Sequence, residues 1–186
     1  MAGQSAVSSD LDSDMPGALP LSGWRAKTRR RPMRYRVVVV APRAADVVRY
    51  AGGWLFDHAS AGWEVSVLLA NREDDRPLEI LGATSMDLAP ALALSEPEIW
   101  PDVIAVTVEA YLADARVRTG VLSCLDSGNA RVLVWGSDLP GELAGRLHPA
   151  EHRVSMAAQA FKSCALRAAG CPGEAAEPTE AMLVGH

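Results

Sequence analysis

Apolar positions along the chain fall into two patterns, unbroken runs and stripes at helical spacing, and the two alternate. Residues 35–41 (YRVVVVA) are a continuous β-branched run, as expected for a strand covered on both faces. The next segment, 45–62, carries Val47, Val48, Ala51, Trp54, Leu55 and Ala59 on one helical stripe, with Gly62 as a stop. Residues 63–71 (WEVSVLLAN) predict a second strand, 77–83 a short helix ended by Gly82, and a third strand is expected within 84–92 (TSMDLAPAL). Over 101–117 (PDVIAVTVEAYLADARV) a leading proline and apolar residues at helical spacing predict a helix. Residues 130–136 (ARVLVWG) predict another buried strand, and 151–170 an amphipathic helix closed by Gly170. Strands alternating with helices predict an α/β fold, a Rossmann-like three-layer α/β/α sandwich with a mostly parallel sheet.

The flanks lack this periodicity. Residues 1–33 read as a disordered leader with a basic arm, 34–171 as the α/β domain, and 172–186 as a disordered tail. The segment from Arg25 to Arg36 holds seven of the eighteen basic residues, against a net charge of −5 for the whole chain. Such an arm suits contact with a partner, but no aromatic or glycine interleaving supports base stacking, so nucleic acid is not the expected ligand. With 186 residues, 49% hydrophobic and 22% charged, the composition is that of a soluble globular protein with one core. No apolar run is long enough to span a bilayer and the first residues carry no secretory pattern, so the expected location is the cytoplasm. Sixteen arginines against two lysines suggest a GC-rich bacterial genome. Cys124, Cys164 and Cys171 are odd in number and share no C-x-x-C spacing, which argues against a structural zinc site or a disulfide framework.

In an open parallel sheet the functional crevice lies beyond the carboxyl ends of the strands. That directs attention to 41–47, 70–77 and 135–152. The first turn has no G-x-G-x-x-G, so a dinucleotide cofactor is not expected. It does hold Arg43 and Asp46, readable as a helix-start carboxylate beside an arginine, or as an anion site at a helix N-terminus. Trp135 closes a strand at this edge, and Asp138 follows it either as a crevice residue or as a helix cap. Asp74 and Asp75 in NREDDR (71–76) read as part of a solvated loop, or as carboxylates facing the crevice. His148 and His152 are i, i+4, but Pro149 between them places His148 ahead of the helix and His152 in its first turn. Trp54, Trp63 and Trp100 read as core. The turn expected at SCLDSGN (123–129) has no G-x-S-x-G elbow and no adjacent histidine, so no nucleophile stands out.

The unbroken frame VVVVAPRAADVVRYAGGWLFDHASAGWEVSVLL (37–69), with Pro42, Gly52, Gly53 and Gly62, resembles the opening of the PIG-L/LmbE-like zinc-dependent N-deacetylases. Those proteins open with a hydrophobic strand, a P-H-P-D-D-E turn, a helix containing a Gly-Gly pair, and a second strand. LEILGA (78–83) resembles their approach to the third strand, and the resemblance extends over roughly 110 residues. It implies a zinc site at this turn. Carried over by position, Arg43 stands at the first histidine ligand, Ala45 at the general-base aspartate, Asp46 at the second metal ligand and Val47 at the glutamate. The remaining histidine would come from LHPAEHR (147–153), as His148 or His152; in an alternative alignment WGSD lies near that place and the box is missing.

An arginine has no lone pair and stays charged, so it repels the cation that a histidine would bind. Asp46 with one histidine leaves two ligands where catalytic zinc takes three and a water. His58, twelve residues along the helix from Asp46, is about 18 Å away and does not substitute. The sequence therefore predicts a PIG-L/LmbE-like protein that has lost zinc-dependent deacetylase activity. It would bind a small anionic or sugar-like molecule near Arg43, Asp46, Trp135 and Asp138, or act in assembly, with a homo-oligomer as one form. Two alternatives remain. One is an active deacetylase of an N-acyl amino sugar using zinc on Asp46 and His152. The other is a scaffold that works through the basic arm.

Overall fold

The computed structural model describes residues 34–93 and 101–185; the leader 1–33, with most of the basic arm, and Trp100 lie outside the described residues. In chain order the elements are β1 (Arg36–Ala41), α1 (Ala44–Ser60), β2 (Glu64–Leu69), α2 (Arg76–Ile80), β3 (Thr84–Asp87), α3 (Leu88–Ala91), β4 (Val103–Thr107), α4 (Val108–Ala113), α5 (Ala115–Ser127), β5 (Arg131–Trp135), β6 (His148–Arg153), α6 (Met156–Ala168) and β7 (Thr179–Gly185). The seven strands form one sheet in the order β3-β2-β1-β4-β5-β7-β6. Strands β1 to β5 pair in parallel, whereas β7 runs antiparallel to both β5 and β6. This is the mostly parallel α/β sandwich that the alternating pattern predicts.

Side-chain alternation along each strand divides the core in two. Val37, Val39 and Ala41 of β1, Val65, Val67 and Leu69 of β2, and Leu133 and Trp135 of β5 face α1, α2 and α6. Val40, Leu68, Val106, Val132 and Val134 face α4 and α5 on the other side. The predicted stripe of α1 is buried as Val47, Val48, Ala51, Trp54 and Leu55, and the chain turns out of the helix at Gly62 with φ +88°. The strand order reverses between β1 and β4. The crevice at this reversal is therefore bounded by the β1–α1 turn and the β4–α4 turn.

Three predicted elements differ in the structure. The helix expected over 101–117 begins as strand β4, because a short apolar run with both faces covered reads equally as helix or strand. Its end is marked by Thr107, whose Oγ1 accepts the Ala110 N–H at 3.2 Å. The turn expected at SCLDSGN is the last part of α5, which closes on Gly128 at φ +66°. The helix expected over 151–170 begins only at Met156, capped by Ser155, and His148 and His152 lie on β6.

The tail expected to be disordered is corrected most fully. Thr179–Gly185 forms β7 and slots between β5 and β6. Glu180 and Met182 are buried, and a Cβ at Gly185 would lie 2.5 Å from Leu125 Cδ2 and 2.7 Å from Leu147 Cδ2. The strand completes the core, which a composition of Pro, Glu and Ala upstream of it hides.

Candidate functional site

The carboxyl end of β1 leads through Pro42 to Arg43, which is extended (φ −142°, ψ 156°) and offers no side-chain cap to α1. Asp46 lies in the first turn of α1 and is only 4% exposed. Its carboxylate is held by two guanidinium groups. Arg43 Nε donates to Oδ2 at 3.2 Å and Arg43 Nη2 to Oδ1 at 3.4 Å, while Arg49 Nη1 reaches Oδ1 at 3.3 Å. The helix-start reading of this pair is the one the structure contains. The hydrogen bond to Asp46, then its charge, raises the Arg43 pKa above its ordinary value, and Glu109 on α4 adds a smaller push across the crevice. Arg43 itself faces solvent.

Arg49 carries the network outward. Its Nε and Nη2 grip both oxygens of Glu174 at 2.7–3.1 Å, and Nη2 lies 3.5 Å from Cys171 Sγ. This bidentate pair raises the Arg49 pKa and lowers that of Glu174. Neither Arg49 nor Glu174 stands out in the sequence, because the pair joins positions 125 residues apart.

The other predicted site residues lie elsewhere. Val47 is in the core. Trp135 is 3% exposed, packs edge-on to Trp54 at 5.8 Å between centroids, and has no hydrogen-bond partner for its indole N–H. It fills the core beneath α1 and presents no face to a ligand. Asp138 is exposed in the turn after β5 and adopts φ +58°, the left-handed region that Asp tolerates better than most residues. His152 does not join Asp46. Its Nε2 lies 2.8 Å from Asp57 Oδ2, which also accepts the Ser155 N–H at 3.1 Å. Asp57 is eleven residues beyond Asp46, about 16 Å along the helix. His148 is exposed at the start of β6. His58 lies between Trp54 and Trp63 at 4.2 and 4.6 Å, and burial lowers its pKa.

The donor chemistry at this turn does not fit a zinc ion. Of the turn positions the resemblance marks, 43 and 45–47, Asp46 alone carries a ligand-type side chain, and guanidinium groups hold both of its oxygens. Among the described residues no three His, Cys, Asp or Glu side chains converge as a metal site. Shallow hollows along α5, lined by Thr119, Leu122, Ser123 and Asp126, are open surface on the other face of the sheet.

Behind the turn, α6 and β7 bring a second ion pair against the backbone of α1, which sequence reasoning missed. Lys162 Nζ donates to Glu180 Oε1 at 2.6 Å and to the Arg49 carbonyl at 2.8 Å. Glu180 Oε1 and Oε2 accept the N–H groups of Gly53 and Trp54, each at 2.8 Å. The Arg49 carbonyl and Gly53 N–H would pair with each other in a regular helix, and here both hold side-chain partners. The Gly-Gly pair now has a physical reason. A Cβ at Gly53 would sit 2.4 Å from Val154 Cγ1, and one at Gly52 would sit 3.2 Å from Lys162 Cγ.

No family model and no curated protein matches the sequence. Solved structures do match the fold. One is the A40926 pseudoaglycone deacetylase Dbv21, at TM-score 0.51 and 16% identity over 72% of this chain and 81% of that one. A triple-mutant deacetylase of the teicoplanin pathway matches at TM-score 0.52 and 14% identity, over 81% and 96% of the two chains. The fold is one that these deacetylases share. It also carries other chemistry: GalB, the 4-carboxy-2-hydroxymuconate hydratase of Pseudomonas putida KT2440, matches at TM-score 0.50 and 14% identity over 82% and 95%. Deacetylases and a hydratase thus share this fold, and the fold alone does not fix the reaction.

Proposed function

We propose that this protein is a PIG-L/LmbE-like binding or assembly protein without zinc-dependent deacetylase activity. Its ligand would be a small sugar-like or carboxylate-bearing molecule at the crevice beside Arg43. The observation that carries this reading is the double guanidinium clamp on Asp46. A guanidinium neutralises the carboxylate but, having no open coordination position, does not activate a water as zinc does. Ala45 offers no group to take a proton from that water. What the turn does offer is the exposed guanidinium of Arg43, with the Glu109 carboxylate near enough to raise its pKa, a cation and an acceptor suited to hydroxyl-rich ligands.

The test is metal analysis of protein purified without a histidine tag, followed by calorimetric titration with zinc. The expected result is no stoichiometric zinc and no saturable heat. Tightly bound zinc that is lost in Asp46→Ala would overturn the reading. A thermal-shift screen with N-acetyl amino sugars, uronic acids and phosphate then tests the binding role, and stabilisation should disappear in Arg43→Gln. A second reading, an active N-deacetylase, has the fold comparison in its favour. Zinc-dependent acetate release from an N-acetylglucosaminide would establish it.

A further inference from the structure

Strand β6 ends the sheet, and among the described residues nothing pairs with its outer edge. The ladder to β7 gives the direction of its backbone groups. Val154 continues the β6–β7 register and donates its N–H to the Pro178 carbonyl at 2.9 Å. Backbone groups alternate sides along a strand, so His148, Ala150 and His152 also point theirs toward β7. Pro149, Glu151 and Arg153 therefore point outward. Pro149 has no N–H to give, and beyond the strand the Ser155 N–H is spent on Asp57. The free edge thus offers two complete residues, Glu151 and Arg153. Their side chains share the face opposite His152, which reaches α1. Both are exposed, and neither joins an ion pair among the described residues.

We propose that this edge pairs with the same edge of a second copy, antiparallel about a two-fold axis at His152. Glu151 of each copy then lies opposite Arg153 of the other. Self-pairing of an antiparallel edge sets outward residue against outward residue, which leaves few registers. An axis at Glu151 brings the two Glu151 carboxylates directly opposite each other, a destabilising arrangement. An axis at Ala150 sets Glu151 against Pro149, which lacks the N–H. The axis at His152 matches complete residues with complete residues and opposite charge with opposite charge, at both symmetry-related positions. The ladder is short, so the dimer is weak and depends on concentration.

Sedimentation velocity on the full chain, from micromolar to near-millimolar concentration, tests this. The dimer fraction should rise with concentration. Arg153→Glu, which sets carboxylates against carboxylates, should weaken it by about tenfold or more. Adding Glu151→Arg should restore it, because the double exchange re-forms both pairs. Both residues are exposed, and a thermal melt confirms that each variant is folded. A wild-type chain that stays monomeric throughout, or a dimer indifferent to Arg153→Glu, overturns the proposal.

Discussion

Two ion-pair clusters built from the same kinds of group meet helix α1 in opposite surroundings. At its first turn Asp46, Arg43, Arg49 and Glu174 form a chain that runs out to solvent, with Arg43 61% and Arg49 38% exposed at the side chain. One to two turns further on, Lys162 and Glu180 are 4% and 2% exposed, with two acceptors on Lys162 Nζ and three donors on the Glu180 carboxylate. Charges in water interact weakly and can exchange partners, which suits a place where a ligand arrives. Charges sealed in a core hold only if every hydrogen bond is made, and removing one partner strands the other. The pair behind the turn is therefore a fixture of the fold, and the cluster at the turn is the adaptable one.

Breaking the sealed pair should give the largest effect. Lys162→Met leaves Glu180 buried without its cation and should cost about 3–5 kcal/mol in chemical denaturation. Lys162→Met with Glu180→Leu should recover only part of that loss, since Gly53 and Trp54 lose their bonds to the charged carboxylate and fall back on the helix carbonyls alone. Full recovery in the double variant would show that the backbone bonds contribute little. Gly53→Ala comes next. Its methyl would overlap Val154 Cγ1, and a loss of about 1–3 kcal/mol is expected, read as a lower melting temperature.

The open cluster should give the smallest effect and the most salt-sensitive one. Arg49 holds the Glu174 carboxyl below its ordinary pKa, so its contribution is present above about pH 4.3 and is lost as pH falls through the lowered folded value. Stability measured from pH 6 down to pH 3 should lose part of its acid slope in Glu174→Gln at low salt. In about 1 M salt, where the screening length is about 3 Å, wild type and variant should coincide. An equal difference at both salt concentrations would mean that the cluster is sealed after all.

Strands β1, β2 and β5 and helix α1 were readable from the sequence because each is local, a buried run or a stripe at helical spacing, whereas the equally buried run of β4 read as a helix. The turn chemistry was half readable. Arg43 and Asp46 are three residues apart on one helix start, so their contact follows from spacing alone. Arg49 belongs to the same first turns, but its meaning depends on Glu174, and that of the Gly-Gly pair depends on Lys162 and Glu180. No period or motif connects such positions. His152 shows the reverse error. Its place in LHPAEHR suggested a ligand, but β6 carries it to Asp57 at the far end of α1. Trp135 ends a strand at the functional edge as expected, yet alternation turns its ring into the core beneath Trp54.

The placement of β7 has a consequence for how the chain is made. Gly53 and the Glu180 carboxylate that receives its N–H are 127 residues apart. At ordinary translation speeds a ribosome needs on the order of ten seconds to cover that interval. During it α1 has its glycine pair and no anion to close on, and β5 and β6, once made, have no strand to lie between them. The sheet cannot be assembled in the order in which it is synthesised, so the nascent protein waits, half-built, for the strand that locks its first helix.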